Sequence, residues 1–147
     1  YCKENNGTLF YASNFSVGVN IFFTLNEQLA RIMNQFEQYN ITMEEIHHTA
    51  KKDAPSGTAI SILDGIIENN KNKSKWHLGH AVKNESIPVN VKRTDPTPGT
   101  HSVTYSTSID AIEIKHTAHS RDGFAQGSLT AAQWLIGKTT FINIEFK

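Results

Sequence analysis

The sixteen residues Glu44-Glu45-Ile46-His47-His48-Thr49-Ala50-Lys51-Lys52-Asp53-Ala54-Pro55-Ser56-Gly57-Thr58-Ala59 join a β-rich run to an apolar helical run through a turn that neither can cross. Residues 41–48 carry the alternation of a short strand. Asp53-Ala54-Pro55 stops it, because proline has no N–H to donate and a fixed φ. Beyond the turn, Ala59, Ile60, Ile62, Leu63, Ile66 and Ile67 recur at the spacing of an amphipathic helix, with Ser56 or Thr58 as N-cap. A helix N-terminus presents unpaired N–H groups and a positive dipole end, so it can seat a carboxylate or phosphate. His48 and Lys51 add positive charge there, and His47 adds an imidazole, a side chain suited to giving a proton. The stretch has the makings of an anion receptor with a proton source beside it.

The remaining elements follow in order. Tyr1 to Gly7 reads as a helix end closed by glycine, and Thr8 to Ser13 as a strand. Asn14-Phe15-Ser16 makes a turn into a helix capped by Ser16, with a predicted buried stripe of Phe22, Leu25, Leu29, Ile32, Met33 and Phe36. Residues 69–75 form a polar connection, read as a mobile loop. Trp76, His77, Gly79 and His80 lack the partner spacing of a metal site, and no metal is expected. Strands are predicted near 86–93, 100–107 and 109–119, the last with Ile112, Ile114, His116 and Ala118 on one face, forming an antiparallel meander through the Asp95-Pro96-Thr97-Pro98-Gly99 turn. A last helix has Phe124, Leu129, Ala132, Leu135 and Ile136 inward, with Gly127 allowing close approach. Residues 139–147 alternate like a strand.

The elements add up to an α+β fold, an open mixed or antiparallel sheet of about four strands with helices on one face. An uncovered face with apolar alternation would need a second copy to cover it. Net charge is zero with neutral histidines, which suggests neither nucleic acid nor a membrane surface as partner. The single cysteine, Cys2, and the lack of a membrane-length apolar run point to a reducing cytoplasmic setting. No Gly-x-Gly-x-x-Gly turn is present in the 147 residues.

The string His47-His48-x-x-Lys51-x-Asp53-Ala54-Pro55-Ser56-Gly57-Thr58-Ala59 closely resembles the signature of the dihydrodipicolinate reductases. Further blocks resemble that family in the same order: residues 12–20, 98–103 and 116–127. The resemblance runs from about Leu9 to Lys138. It implies the C-terminal, substrate-binding part of a two-domain enzyme that reduces dihydrodipicolinate with NADH or NADPH in lysine and diaminopimelate biosynthesis, and that assembles as a homotetramer through its open sheet. By position, His47 matches the family's proton donor and Lys51 its acid or electrostatic partner. His48, Ser56, Gly57 and Thr58 match the carboxylate-binding group. Arg121 is placed near the site because guanidinium suits bidentate carboxylate binding. Ala12, Ser13, Asn14 and Phe15 match the segment that touches the nicotinamide cofactor. The implied division is 1–14 as a remnant of the dinucleotide-binding domain, 15–121 as the substrate-binding and oligomerisation domain, and 122–147 as a helix and tail returning toward the cofactor domain. The alternative is a non-catalytic oligomerising module that keeps the anion seat and has no hydride donor.

Overall fold

The computed structural model describes residues 1–139 and 141–144 of the chain. Elements follow in the order β1 (Leu9–Ala12), α1 (Val17–Met33), β2 (Asn40–His47), α2 (Gly57–Asn69), β3 (Lys75–Leu78), β4 (Ser86–Arg93), β5 (Gly99–Ser106), β6 (Ala111–Ala118), α3 (Asp122–Leu135) and β7 (Phe141–Ile144). Five strands form one open sheet in the order β3-β4-β2-β5-β6, and β1 pairs with β7 in a separate two-stranded sheet. The α+β reading therefore holds.

The antiparallel meander holds only for one side of the sheet. β2, β5 and β6 run antiparallel in succession, but β4 lies parallel to β2, and β3 parallel to β4. Helix α2 is a crossover that carries the chain over one face and brings it back as β3 in the direction of β2, and residues 79–85 then return it to the start of β4 in the same direction. β3 was missed, because the polar connection of residues 69–75 merges into it without a break in composition. Its His77 is structural, with ring nitrogens 2.7 Å from the Ser86 hydroxyl and 3.0 Å from the Ala81 carbonyl.

Helices α1 and α2 cover the face carrying Ile41, Met43, Ile87, Val89, Val103 and Tyr105, and with Phe22, Phe23, Ile62, Leu63 and Ile66 they form the core. The buried side of α1 differs from the predicted stripe: Val19, Phe22, Phe23, Asn26, Ala30 and Met33 are buried, while Leu25, Ile32 and Phe36 are exposed. A polar contact lies within the buried side. The Asn26 amide donates to the Ile62 carbonyl of α2 at 2.9 Å, so Asn26 must face inward. In α2, Ser56 is the N-cap, its hydroxyl accepting the Ala59 N–H at 3.1 Å. Ser16 occupies the N-cap of α1 without a side-chain bond, and its own N–H is held by the Asn14 side chain at 2.9 Å.

The opposite face of the sheet is polar, not apolar as expected. Strand alternation places Thr42, Glu44, Asn90, Lys92, Ser102 and Thr104 there, linked by Lys92–Glu44 (2.6 Å) and Asn90–Glu44 (2.6 Å) contacts. At the N-terminus, Asn6 rather than Gly7 takes the left-handed conformation (φ 52°). In α3, Gly127 is buried against the Phe15 backbone, but Leu129 and Ile136 are exposed. The predicted C-terminal strand corresponds to β7; residues 140 and 145–147 lie outside the described residues. Among the described residues no helix is long and apolar enough to cross a membrane.

Candidate active site

Strand β2 ends at His47, the chain turns through residues 48–55, and α2 begins beside the strand it has just left. This return builds one wall of a cleft of about 450 Å³, and the segment entering α1 and the start of α3 build the others. The cleft is lined by Ser13, Asn14, Phe15, His47, His48, Lys51, Ser56, Gly57, Thr58 and Arg121, together with Asp53, Pro98, Phe124 and Ser128. Of the predicted site residues, Ala12 alone lies elsewhere. It borders an adjoining apolar cavity of about 550 Å³ with Phe10, Ile21 and Trp134, a cavity that also touches Asn14 and Phe15.

The anion seat has a specific donor arrangement. The Ser56 N–H is taken by Glu45 at 2.9 Å and the Ala59 N–H by the Ser56 hydroxyl. That leaves the Gly57 and Thr58 N–H groups, in the first turn of α2, without a partner among the described residues, and both residues line the cleft. The Asn14 side chain donates to the Thr58 hydroxyl at 3.1 Å, tying the turn before α1 to this helix start. The Lys51 ammonium pairs with Asp53 at 2.8 and 3.0 Å, and the pair holds the Asp53 carboxyl below its usual range. The loop bearing Lys51 is pinned at both ends. Asp95 accepts the Thr49 N–H at 3.0 Å and its hydroxyl at 2.5 Å, and Arg93 donates to the carbonyls of Lys51 (3.3 Å) and Asp53 (2.7 Å). His48 leaves the strand at the turn, so alternation does not separate it from His47; both reach the cleft. Arg121, the N-cap residue of α3, is exposed and its guanidinium has no partner among the described residues.

Behind His47 lies a buried charge cluster that sequence reasoning did not find. Glu45 is fully buried. Its Oε1 is 3.1 Å from the Arg93 guanidinium and 3.8 Å from His47 Nδ1, and its Oε2 is 4.0 Å from His101 Nε2. Burial alone would raise the Glu45 pKa; the His47 ring, the Ser56 hydroxyl and N–H, and Arg93 outweigh it and pull it down to about 2. His101 shows the converse: burial, and then the neighbouring His47, push it down to about 4, so it is neutral at working pH, with Nε2 3.2 Å from the Ser56 hydroxyl. Glu45, His47 and His101 could offer three ligand atoms within 4.8 Å of one another. They do not suit a metal ion, because the Arg93 guanidinium already occupies the carboxylate and would stand as an unscreened like charge. The signal for Glu45 was available in principle: a carboxylate two residues before His47 shares its face of the strand.

A family model described as "Dihydrodipicolinate reductase, C-terminus" matches residues 18–145. The chain belongs to the dihydrodipicolinate reductase family. Among relatives, it is 51% identical over 138 residues to the 4-hydroxy-tetrahydrodipicolinate reductase of Christiangramia forsetii, covering 94% of this chain and 57% of that protein. It is 39% identical over 137 residues to that of Methanoculleus marisnigri, covering 92% and 53%. The chain thus spans little more than half the length of these relatives. In structure it is similar to a dipicolinate-bound dihydrodipicolinate reductase from Paenisporosarcina sp. TG-14, with a TM-score of 0.63 at 20% identity over 97% of this chain and 55% of the other, a likeness of fold.

The nicotinamide cofactor that the reductase family implies fits this chain only at its edge. Asn14 and Phe15 line both the polar cleft and the apolar cavity, with Ser13 beside them in the cleft, where a flat, amphipathic ring would rest. The 147 residues contain no glycine-rich turn to take its pyrophosphate.

Proposed function

We propose that this chain provides the substrate site of a reductase acting on 4-hydroxy-tetrahydrodipicolinate, a cytoplasmic NADH- or NADPH-dependent step toward diaminopimelate and lysine. The observation that carries the proposal is the cleft itself. It collects an imidazole, a lysine, an unpaired guanidinium and two free helix N–H groups within one volume suited to a small ring dicarboxylate. One substrate carboxylate sits on the Gly57 and Thr58 N–H groups, where it completes the donors left open by the N-cap, and His48, Lys51 and Arg121 supply positive charge around it. Asp53 limits the Lys51 charge until an anionic substrate competes for the ammonium. His47, in the wall of the cleft, gives its proton to the ring carbon next to the one that receives hydride, after the 4-hydroxyl has left as water with a proton from that neighbouring carbon to give the dihydro ring. A bound nicotinamide supplies the hydride. Ser13, Asn14 and Phe15 would border its ring, and Ala12 the apolar side.

The pairing of β1 with β7, apart from the five-stranded sheet, supports assigning 1–14 and 122–147 to the side facing a nucleotide-binding domain, and 15–121 to substrate binding and assembly. The open face with its Thr42, Glu44, Asn90, Lys92, Ser102 and Thr104 surface is the face on which further copies would pack in a homotetramer, through hydrogen bonds more than apolar burial.

Calorimetric titration of the 147-residue chain with dipicolinate, the planar dicarboxylate found in the Paenisporosarcina enzyme, tests the assignment. Saturable binding that is lost in Lys51→Ala and in Arg121→Ala is expected. Absence of binding, or equal binding by both variants, would overturn it.

A further inference from the structure

We propose that Glu45 is a positioning residue for His47: its buried carboxylate holds the ring with a protonated Nδ1 inward, leaves Nε2 as the atom from which the imidazolium delivers its proton, and stabilises that imidazolium before proton transfer. The inference deepens the reading of His47 as proton donor and rests on it.

The geometry has three parts. First, His47 is itself buried, and its Nδ1 is shut off from solvent without a hydrogen-bond partner. Such an atom is costly unless a nearby group answers it. The Glu45 Oε1 at 3.8 Å is in ion-pair reach and lies on the same strand face. Second, the opposite edge of the ring faces the start of β5, where Gly99 carries no side chain. A Cβ at Gly99 would lie 3.2 Å from His47 Nε2, so the glycine leaves this nitrogen uncrowded. Third, the carboxylate is itself immobilised, by Arg93 from β4 on Oε1 and by the Ser56 N–H of the α2 cap on Oε2. The same carboxylate therefore anchors the start of the anion seat and faces the ring that would deliver the proton.

The charges around His47 make Glu45 decisive. β4 contributes Arg93, β5 the neutral His101, the loop after β2 contributes His48 and the Lys51–Asp53 pair, and α3 contributes Arg121 at the cleft. Apart from the Lys51–Asp53 ion pair, the ionised groups around the ring are the Arg93 and Arg121 guanidinium cations and the Glu45 carboxylate. Without the carboxylate the ring would meet cations alone, and the imidazolium would be disfavoured by like charge. The arrangement is the familiar one in which a carboxylate selects one imidazole tautomer and orients it, here with a carboxylate whose own charge is locked by Arg93.

The test is ¹⁵N NMR of the His47 ring in the 147-residue chain, which reports tautomer and charge without any turnover. In the wild-type chain the neutral ring is expected to carry its proton on Nδ1. Glu45→Gln preserves size and the bond from Ser56 but removes the charge; at pH 6 it should lower the charged-to-neutral ratio of His47 by about tenfold or more. Glu45→Asp should restore part of the difference. A neutral ring protonated on Nε2 in the wild type, or an unchanged ratio in a folded Glu45→Gln, overturns the proposal. If Glu45→Gln does not fold, the wild-type tautomer alone decides. A failure of the catalytic assignment shows up separately, as normal turnover by His47→Gln, and leaves the NMR outcome as it stands.

Discussion

The carbonyl oxygen of Phe15 occupies the space that a Cβ on Gly127 would need. The start of α1 and the middle of α3 thus meet backbone to backbone, and Asn14 and Phe15 are held in the cleft by that contact. Phe10 adds an edge-to-face ring contact to Phe15 with centroids 5.3 Å apart.

Gly127→Ala is therefore expected to push α3 off this segment, costing about 1–3 kcal/mol as overpacking does. A thermal melt of the variant should fall by several degrees, and dipicolinate affinity should drop with it. An unchanged melting temperature would show that α3 docks differently.

Binding and proton delivery should separate by mutation in a reductase that includes the nucleotide-binding domain. His47→Gln is expected to lower kcat by about a hundredfold or more with KM nearly constant, the scale of a lost general acid. Lys51→Ala should act chiefly on KM. Near-wild-type kinetics in both variants would remove the cleft from the mechanism.

Gly57 has open space around its Cα, with nothing within 4 Å of an added Cβ. Gly57→Ala should leave the fold and binding little changed, whereas Gly57→Glu places an anion at the helix N-terminus and should weaken dicarboxylate binding by about tenfold or more. Equal affinity in Gly57→Glu, by titration, would mean that the α2 N-terminus does not hold the ligand.

The buried Glu45 makes stability depend on acid. Its folded-state pKa is depressed from 4.5 to about 2, so the folded state binds its proton less readily than the unfolded state. The contribution is complete above pH 4.5 and is lost as pH falls toward 2, amounting to on the order of 3 kcal/mol. Urea melts between pH 6 and pH 2.5 should show this slope, and Glu45→Gln should flatten it. A slope identical in both proteins would contradict the buried ion pair with Arg93.

The 147-residue chain on its own is expected to show no turnover with NADH or NADPH, because it offers a nicotinamide only the Ser13–Phe15 edge and has no glycine-rich phosphate turn. Reduction by this chain alone, measured as loss of nicotinamide absorbance, would require a different account of how the cofactor is held.

Local sequence determined the α2 start, the Ser56 cap and the residues of the anion seat, because each depends on neighbours a few positions away: a proline that ends a strand, a hydroxyl that reaches the third N–H. The polar loop around Lys51 was legible for the same reason. Tertiary structure alone decided which side of α1 is buried: packing of Val19, Phe22, Phe23, Ala30 and Met33 into the core, with Asn26 bonded to the Ile62 carbonyl, leaves Leu25 and Ile32 exposed. It also decided the parallel placement of β4 and with it the charge cluster. Arg93 and His101 lie 48 and 56 positions from Glu45 along the chain, and only the register of β2 between β4 and β5 sets them around its carboxylate. Strand pairing is a non-local choice made by burial of a whole face at once, so no window of sequence contains it.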